Sequence, residues 1–472
     1  MSDEPAVTGR SRWGANRGIR IVAFVLFATF SAVVVFADPV LAHAGSLGAV
    51  SRSAPVPSWL VIASGAGVVG ASFLFTSLLT DRQAIEGFPR RGRSLALTAV
   101  GSGLGRIARW TAVAAVPLVV AVGLIGPDAP AANLLTLVVW VVWWAGYTMT
   151  TYAVGDTWPA LNPWRTVASL IPLERRSLPD WVGAWPSVVA LLALVAIEVL
   201  SPVAADPRLL AAVVIGYSTV TVAGAAAFGD AWFDRIDPVA RTFALYGRFA
   251  PVRRTDSGLD VGLPGAGLAR DTTVSDPDDV AFIVGLVWVT TFDGLVSTAA
   301  WERVTSAVAA LGVPVWVVTL AGLLGGFACF VACYWLAARG VRRTAPTYVS
   351  TRYLAGWFAP ALVPIAAGYH FAHFVGYLVG FAPTIAAVVA SPLAPPGSLV
   401  VLSPPGWFGA VQVIAIVLGH ILAVWVAHAR AFELFAGRVQ PIRSQYPFAL
   451  VAVLYTTVSL WIVAQPIATG IR

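Results

Sequence analysis

From Trp59 onward the chain alternates long apolar runs with short polar stretches that carry arginine. Ten apolar segments stand out, centred near residues 68, 118, 143, 193, 218, 290, 326, 370, 420 and 456. Each is about 18–25 residues long, the length an α-helix needs to cross ~30 Å of hydrocarbon. The pattern predicts an all-α, polytopic transmembrane helix bundle, a single helical domain over residues 43–472. Residues 1–42 have a different pattern. Arg10, Arg12, Arg17 and Arg20 precede an apolar run from Ile21 to Phe36, and small residues follow at Val40 and Ala42. This is the pattern of a secretory signal peptide cleaved after Ala42, which makes His43 the first mature residue. Without cleavage the run becomes an extra N-terminal helix.

The eighth segment is longer than one crossing. No charge occurs from Ala355 to Ala394, and Pro360, Pro364 and Pro383 interrupt the run. We expect one crossing to about Leu378, then a short apolar piece, Thr384 to Ala390, at the outer interface or dipping back. The largest polar region is the loop 230–280, whose part from Arg253 to Asp279 reads as Gly- and Asp-rich loop. Segments three and five end alike. Gly146-Tyr147-Thr148 precedes Gly155-Asp156-Thr157-Trp158 and Asn162-Pro163-Trp164-Arg165-Thr166. Gly216-Tyr217-Ser218 precedes Gly229-Asp230-Ala231-Trp232 and Asp237-Pro238-Val239-Ala240-Arg241-Thr242. The end of segment nine, Ala429-Arg430-Ala431-Phe432, echoes Ala240-Arg241-Thr242-Phe243. A parallel repeat of helix pairs accounts for the echoes, and so does the preference of any cytoplasmic exit for Arg, Trp and Pro.

Composition supports the pattern. The 472 residues are 58% hydrophobic and 11% charged, well below the ~25% charge of soluble domains. The net charge of +7 would suit nucleic acid, but the distribution of charge excludes it. With His43 outside, every one of the 30 arginines except Arg52, Arg208, Arg303 and Arg472 falls on the cytoplasmic side. The positive-inside rule assigns that asymmetry to topology in a plasma membrane, with both mature termini outside. The chain has no lysine, which rules out Schiff-base chemistry and a Walker-type phosphate loop.

The candidate chemistry lies in the histidines. His370 and His373 share a face of segment eight; His420 and His428 lie on segment nine, antiparallel to it. Counting residues puts His370 ~8 Å, Asp293 ~12 Å and His420 ~16 Å below the outer boundary. Two imidazoles and a carboxylate in one depth band suit a transition metal, because ionisable groups there are costly unless paired. Each residue alone is equally explained as a hydrogen-bonded packing residue. The expected metal ligands are His370, His373, His420, Asp293 and His43, with copper favoured. A mature N-terminal His43 would chelate Cu(II) through its α-amino group and Nδ1. Cys329 and Cys333, four apart on one helix, read as small residues at a helix contact, with a soft-metal pair as the alternative. Glu198, Glu302 and Arg303 read as interfacial. No Gly-x-Ser-x-Gly elbow is present, so a serine hydrolase is not expected.

Gly155-Asp156-x-Trp158-x3-Asn162-Pro163-Trp164-Arg165, Thr291-Phe292-Asp293-Gly294 and the histidine-bearing eighth segment resemble a family of polytopic membrane proteins of actinobacteria and archaea labelled fenitrothion hydrolase, after an organophosphate-degrading member. The likeness runs from His43-Ala44-Gly45 through the last helices and implies no site residues. It supplies an alternative to metal transport or delivery: a membrane-embedded, metal-dependent hydrolase of small hydrophobic, organophosphate-like substrates, acting through metal-activated water. Paired intramembrane histidines allow a third reading, a b-type haem electron-transfer subunit. The partners implied are the lipid bilayer and a metal ion or small hydrophobic substrate, with no nucleic acid.

Overall fold

The computed structural model describes residues 57–87, 89, 92–95, 101–255 and 258–465. The signal-peptide reading, His43, Arg52 and Arg472 fall outside the described residues.

The apolar runs form helices because nothing in hydrocarbon competes for backbone hydrogen bonds. In chain order the long ones are α1 (Ser58–Leu78), α2 (Gly101–Ile125), α3 (Leu134–Ala153), α4 (Trp185–Leu200), α5 (Pro207–Phe228), α6 (Pro238–Phe249), α7 (Pro277–Val296), α8 (Val315–Thr344), α9 (Val363–Ala390), α10 (Phe408–Leu434) and α11 (Val439–Val463). Among the described residues nine are long and apolar enough to cross a membrane, and together they make an all-α membrane bundle. The tenth expected segment is α4. Its 16 residues rise ~24 Å, short of a full crossing, and it packs along α7. The central helix is α7, 83% of whose most apolar stretch is buried, against 17% for α1.

Three expectations need correcting. Pro383 does not divide the eighth segment: α9 runs unbroken through it to Ala390. One lost N–H is tolerated in a membrane helix where neighbours re-satisfy the freed carbonyl. Pro360 and Pro364 sit in the first turns of a 3-10 turn and of α9, where a missing N–H costs nothing. The third correction concerns the polar region after α5, which is folded rather than loop. Asp237 caps α6 by accepting from the N–H groups of Val239 and Ala240, and α6 inserts between α3, α4 and α9 with Phe243 and Tyr246 fully buried. Beyond it, β2 (Val252–Thr255) and β3 (Gly258–Gly262) join β1 (Gly92–Leu95) in an antiparallel sheet of order β1-β3-β2, with Arg253 opposite Asp260.

Helices α9 and α10 approach most closely at Gly368 and Gly419. A Cβ at Gly368 would lie 2.6 Å from the Ala415 oxygen, and one at Gly419 2.5 Å from the Pro364 oxygen. Only glycine lets the two backbones touch there. That contact fixes the rotation of both helices, and with it the directions of His370, His373 and His420.

Candidate functional site: a histidine and aspartate core

Asp293 and His373 meet. Asp293, near the end of α7, places Oδ2 3.1 Å from Nε2 of His373 on α9, and both side chains are over nine-tenths buried. Tyr369, one turn before His373, stacks on its ring with centroids 6.4 Å apart and planes 11° apart. Gly294 makes room for this arrangement, because a Cβ there would stand 2.0 Å from the Tyr369 hydroxyl. The Phe292-Asp293-Gly294 motif therefore has a physical basis: the aspartate supplies the charge and the glycine the space for its aromatic neighbour.

His370 occupies an aromatic box made by Trp144, Tyr152, Tyr246 and Phe374, with ring centroids 4.8–6.2 Å away. Its Nδ1 lies 3.2 Å from the Tyr152 hydroxyl, and its Nε2 is buried with no side-chain hydrogen-bond partner among the described residues. Trp144 comes from a π-helical stretch of α3, Leu137–Tyr147, whose widened turn belongs to the kind of helix distortion found at functional sites.

His420 is fully buried on α10. Its Nδ1 is 2.8 Å from the Ile416 oxygen. A carbonyl only accepts, so Nδ1 carries the proton and Nε2 keeps the lone pair, again with no hydrogen-bond partner. Of its neighbours on α10, Ile416 packs with Tyr369 and Ala372 of α9 and with Leu460 and Ile462 of α11, and Val424 packs with Val69 of α1 and Ala452 of α11. The expected set is thus brought together in part: His373 with Asp293 directly and His370 one turn away on α9, with His420 buried on α10. Among the described residues the one group of three ligand atoms within 4.8 Å of one another is Asp276, Asp278 and Asp279, an acidic helix start. His428 has a structural role, with Nε2 3.0 Å from the Leu79 oxygen and Nδ1 beside the Gln445 amide, so it holds the end of α1. Cys329 is exposed and Cys333 half-buried on α8.

Arg430, placed by its sequence on the cytoplasmic side, is fully buried. It donates to the oxygens of Trp357 (2.6 Å), Leu268 (2.9 Å), Thr273 (3.1 Å) and Asp271, and its guanidinium lies 4.4 Å from the Trp357 ring centre. Four carbonyls meet its N–H groups. The signal available in sequence was its place in Ala-Arg-Ala-Phe, which gives no hint of burial.

The echoed motifs also converge. Each opens with a glycine of positive φ (Gly155, Gly229), continues with a short helix, and restarts at an Asn or Asp cap followed by proline. The tyrosine of each preceding helix bonds its own motif, Tyr147 to Thr157 and Tyr217 to Asp237. Asp156, Trp158, Arg165, Asp234, Arg241 and Arg248 line a cavity of about 230 Å³ at the arginine-rich end. Arg165 bonds Asp230 and lies over Phe233; Arg241 bonds Asp279 at 2.7 Å and lies over Phe282. Burial pushes Asp156 and Asp234 above the usual carboxylate range and Asp237 up to about 6. Comparison with family models, curated proteins and solved structures gives no match to this chain.

Proposed function

We propose that this chain is a multi-pass membrane protein that binds a transition metal ion, copper favoured, through intramembrane histidine and aspartate, for transport or delivery. The observation that carries the reading is the Asp293–His373 contact at 3.1 Å, with a second buried imidazole, His370, one helical turn away and an Nε2 that meets no side-chain hydrogen-bond partner among the described residues. Buried ionisable groups at this depth are rarely kept without a task, and imidazole is the commonest transition-metal ligand. His420 is oriented as metal-bound histidines are, Nδ1–H held by a carbonyl and Nε2 left as donor to a metal. The arginine asymmetry supports an orientation with the arginine-rich end, and therefore the 230 Å³ cavity, in the cytoplasm of a cell whose plasma membrane the chain spans.

Elemental analysis and a visible spectrum of the purified protein test the reading together. We expect one metal ion per chain and no haem Soret band. His370→Ala or His373→Ala should lose the metal while the protein still inserts, and His428→Ala should keep it. A metal-free wild type after copper loading, or full metal content in the double variant His370→Ala/His373→Ala, would overturn the proposal.

A further inference from the structure

We infer that the cavity of about 230 Å³ at the arginine-rich end binds a small zwitterion of the α-amino-acid kind, with guanidiniums taking its carboxylate and aspartates its ammonium group. The echoed motifs that build the cavity supply no ligand in the metal reading, and each brings one charge of either sign. Asp156 and Arg165 come from the first motif and Asp234 and Arg241 from the second, while Arg248 of α6 and Asp279 of α7 complete the set. Charged side chains that served the fold alone would close on one another. These line an open space.

The charges are held in place. Arg165 lies 4.4 Å from the Phe233 ring centre and Arg241 4.8 Å from that of Phe282, and a stacked guanidinium keeps its plane and its fork of donors. A Cβ at Gly247 would lie 2.4 Å from the Asp156 Cβ, so α6 packs directly on that aspartate. Donors and acceptors are to spare. Among the described residues Arg165 bonds Asp230, Arg248 bonds Asp271, and Arg241 bonds Asp279 and the Asp234 oxygen, which leaves each guanidinium further N–H groups. Neither Asp156 nor Asp234 is in an ion pair among the described residues, and burial raises both carboxyls. The ligand class follows from the balance of sign. A simple anion would face the carboxylates and a simple cation the guanidiniums, whereas a molecule with both charges meets both. Trp158, Leu245 and Ile283 supply apolar wall for an aliphatic or aromatic side chain. The volume, about 230 Å³, falls below the ~300–1,000 Å³ of pockets for drug-sized ligands and suits a molecule of amino-acid size.

Isothermal titration calorimetry of the purified full chain in detergent tests this, with no copper added so that the outcome is independent of the metal reading. The probes are L-leucine, L-methionine and L-phenylalanine, followed by the analogues of the tightest binder that lack its amino group or its carboxylate. At least one amino acid should bind saturably, and loss of either charged group should weaken binding roughly 10- to 10²-fold, the factor for a lost charged hydrogen bond. Asp156→Asn/Asp234→Asn should weaken the amino acid by a similar factor and leave the amine-free analogue unaffected. Equal binding of the amine-free analogue, or tighter binding of inorganic phosphate, would make the cavity an anion site and overturn the inference. So would unchanged amino-acid affinity in the double variant, or no saturable binding of any of the three by folded wild type. The analogue comparison uses wild type alone, so it decides the matter even if the double variant does not fold.

Discussion

Replacing Arg430 by methionine should release the segment around Leu268–Thr273 without unfolding the bundle. Three of the four carbonyls that Arg430 satisfies belong to that segment: Leu268, Asp271 and Thr273. A hydrogen bond to a charged donor is worth about 1.5–3 kcal/mol, so three amount to roughly 4–9 kcal/mol gross. The stranded carbonyls recover water when the segment lifts, and methionine restores part of the packing. The net loss should therefore fall near 3 kcal/mol, at the lower end of what breaking a buried charged contact costs. Each 1.4 kcal/mol is about tenfold in population, so the lifted state should become roughly 10²-fold more frequent. Trypsin reports it directly, because the chain has no lysine and Arg270 lies inside the tethered segment. Where opening is fast relative to cleavage, the cutting rate follows the open population. Arg430→Met should be cut after Arg270 roughly 10²-fold faster than wild type, with helical circular dichroism unchanged. An unchanged rate in a folded variant would refute the assignment of Arg430 as the tether.

Two further predictions test the site and the cavity. Gly294→Ala puts a methyl where the Tyr369 hydroxyl stands and should cost about 1–3 kcal/mol in denaturant titration; adding Tyr369→Phe should recover much of that loss, and additivity of the two changes would mean they do not meet. Asp237, raised by burial to about 6 in the folded state from an ordinary 3.8, stabilises the fold fully below its unfolded pKa and loses that contribution as pH rises through its folded one. Thermal stability of wild type relative to Asp237→Asn, which keeps the helix cap, should fall by up to ~3 kcal/mol between pH 4 and pH 7, and a pH-independent difference would contradict the assignment.

The crossings were legible in the sequence because length and hydropathy alone decide what spans ~30 Å of hydrocarbon. The rotation of each helix was not. Residue counting puts His370, Asp293 and His420 in one depth band, yet it is His373, not His370, that meets Asp293 once the Gly368–Gly419 contact sets the packing of α9 on α10. Spacing within one helix says which residues share a face, but not which face a neighbour will meet. Helix α6 escaped notice for a related reason: an amphipathic stretch with Arg241 and Arg248 looks like solvent-facing loop until Phe243 and Tyr246 are seen filling the space between α3 and α9. The burial of Arg430 was not legible, because its N–H groups are met by backbone carbonyls, which no sequence pattern marks. The Gly-Asp-x-Trp echo, by contrast, was legible and corresponds to the same local elements twice over.

The central claim is that imidazole and carboxylate inside the bundle hold a metal ion. X-ray absorption at the metal edge of copper-loaded protein tests it most directly, because it reports the ligands themselves. Copper-loaded protein should show a nitrogen and oxygen shell near ~2.0 Å, as expected for imidazole and carboxylate donors, with the outer-shell scattering of at least one imidazole that disappears in His373→Ala. A shell of sulfur alone, pointing to Cys329 and Cys333, or a spectrum unchanged by His373→Ala and Asp293→Ala, would contradict it.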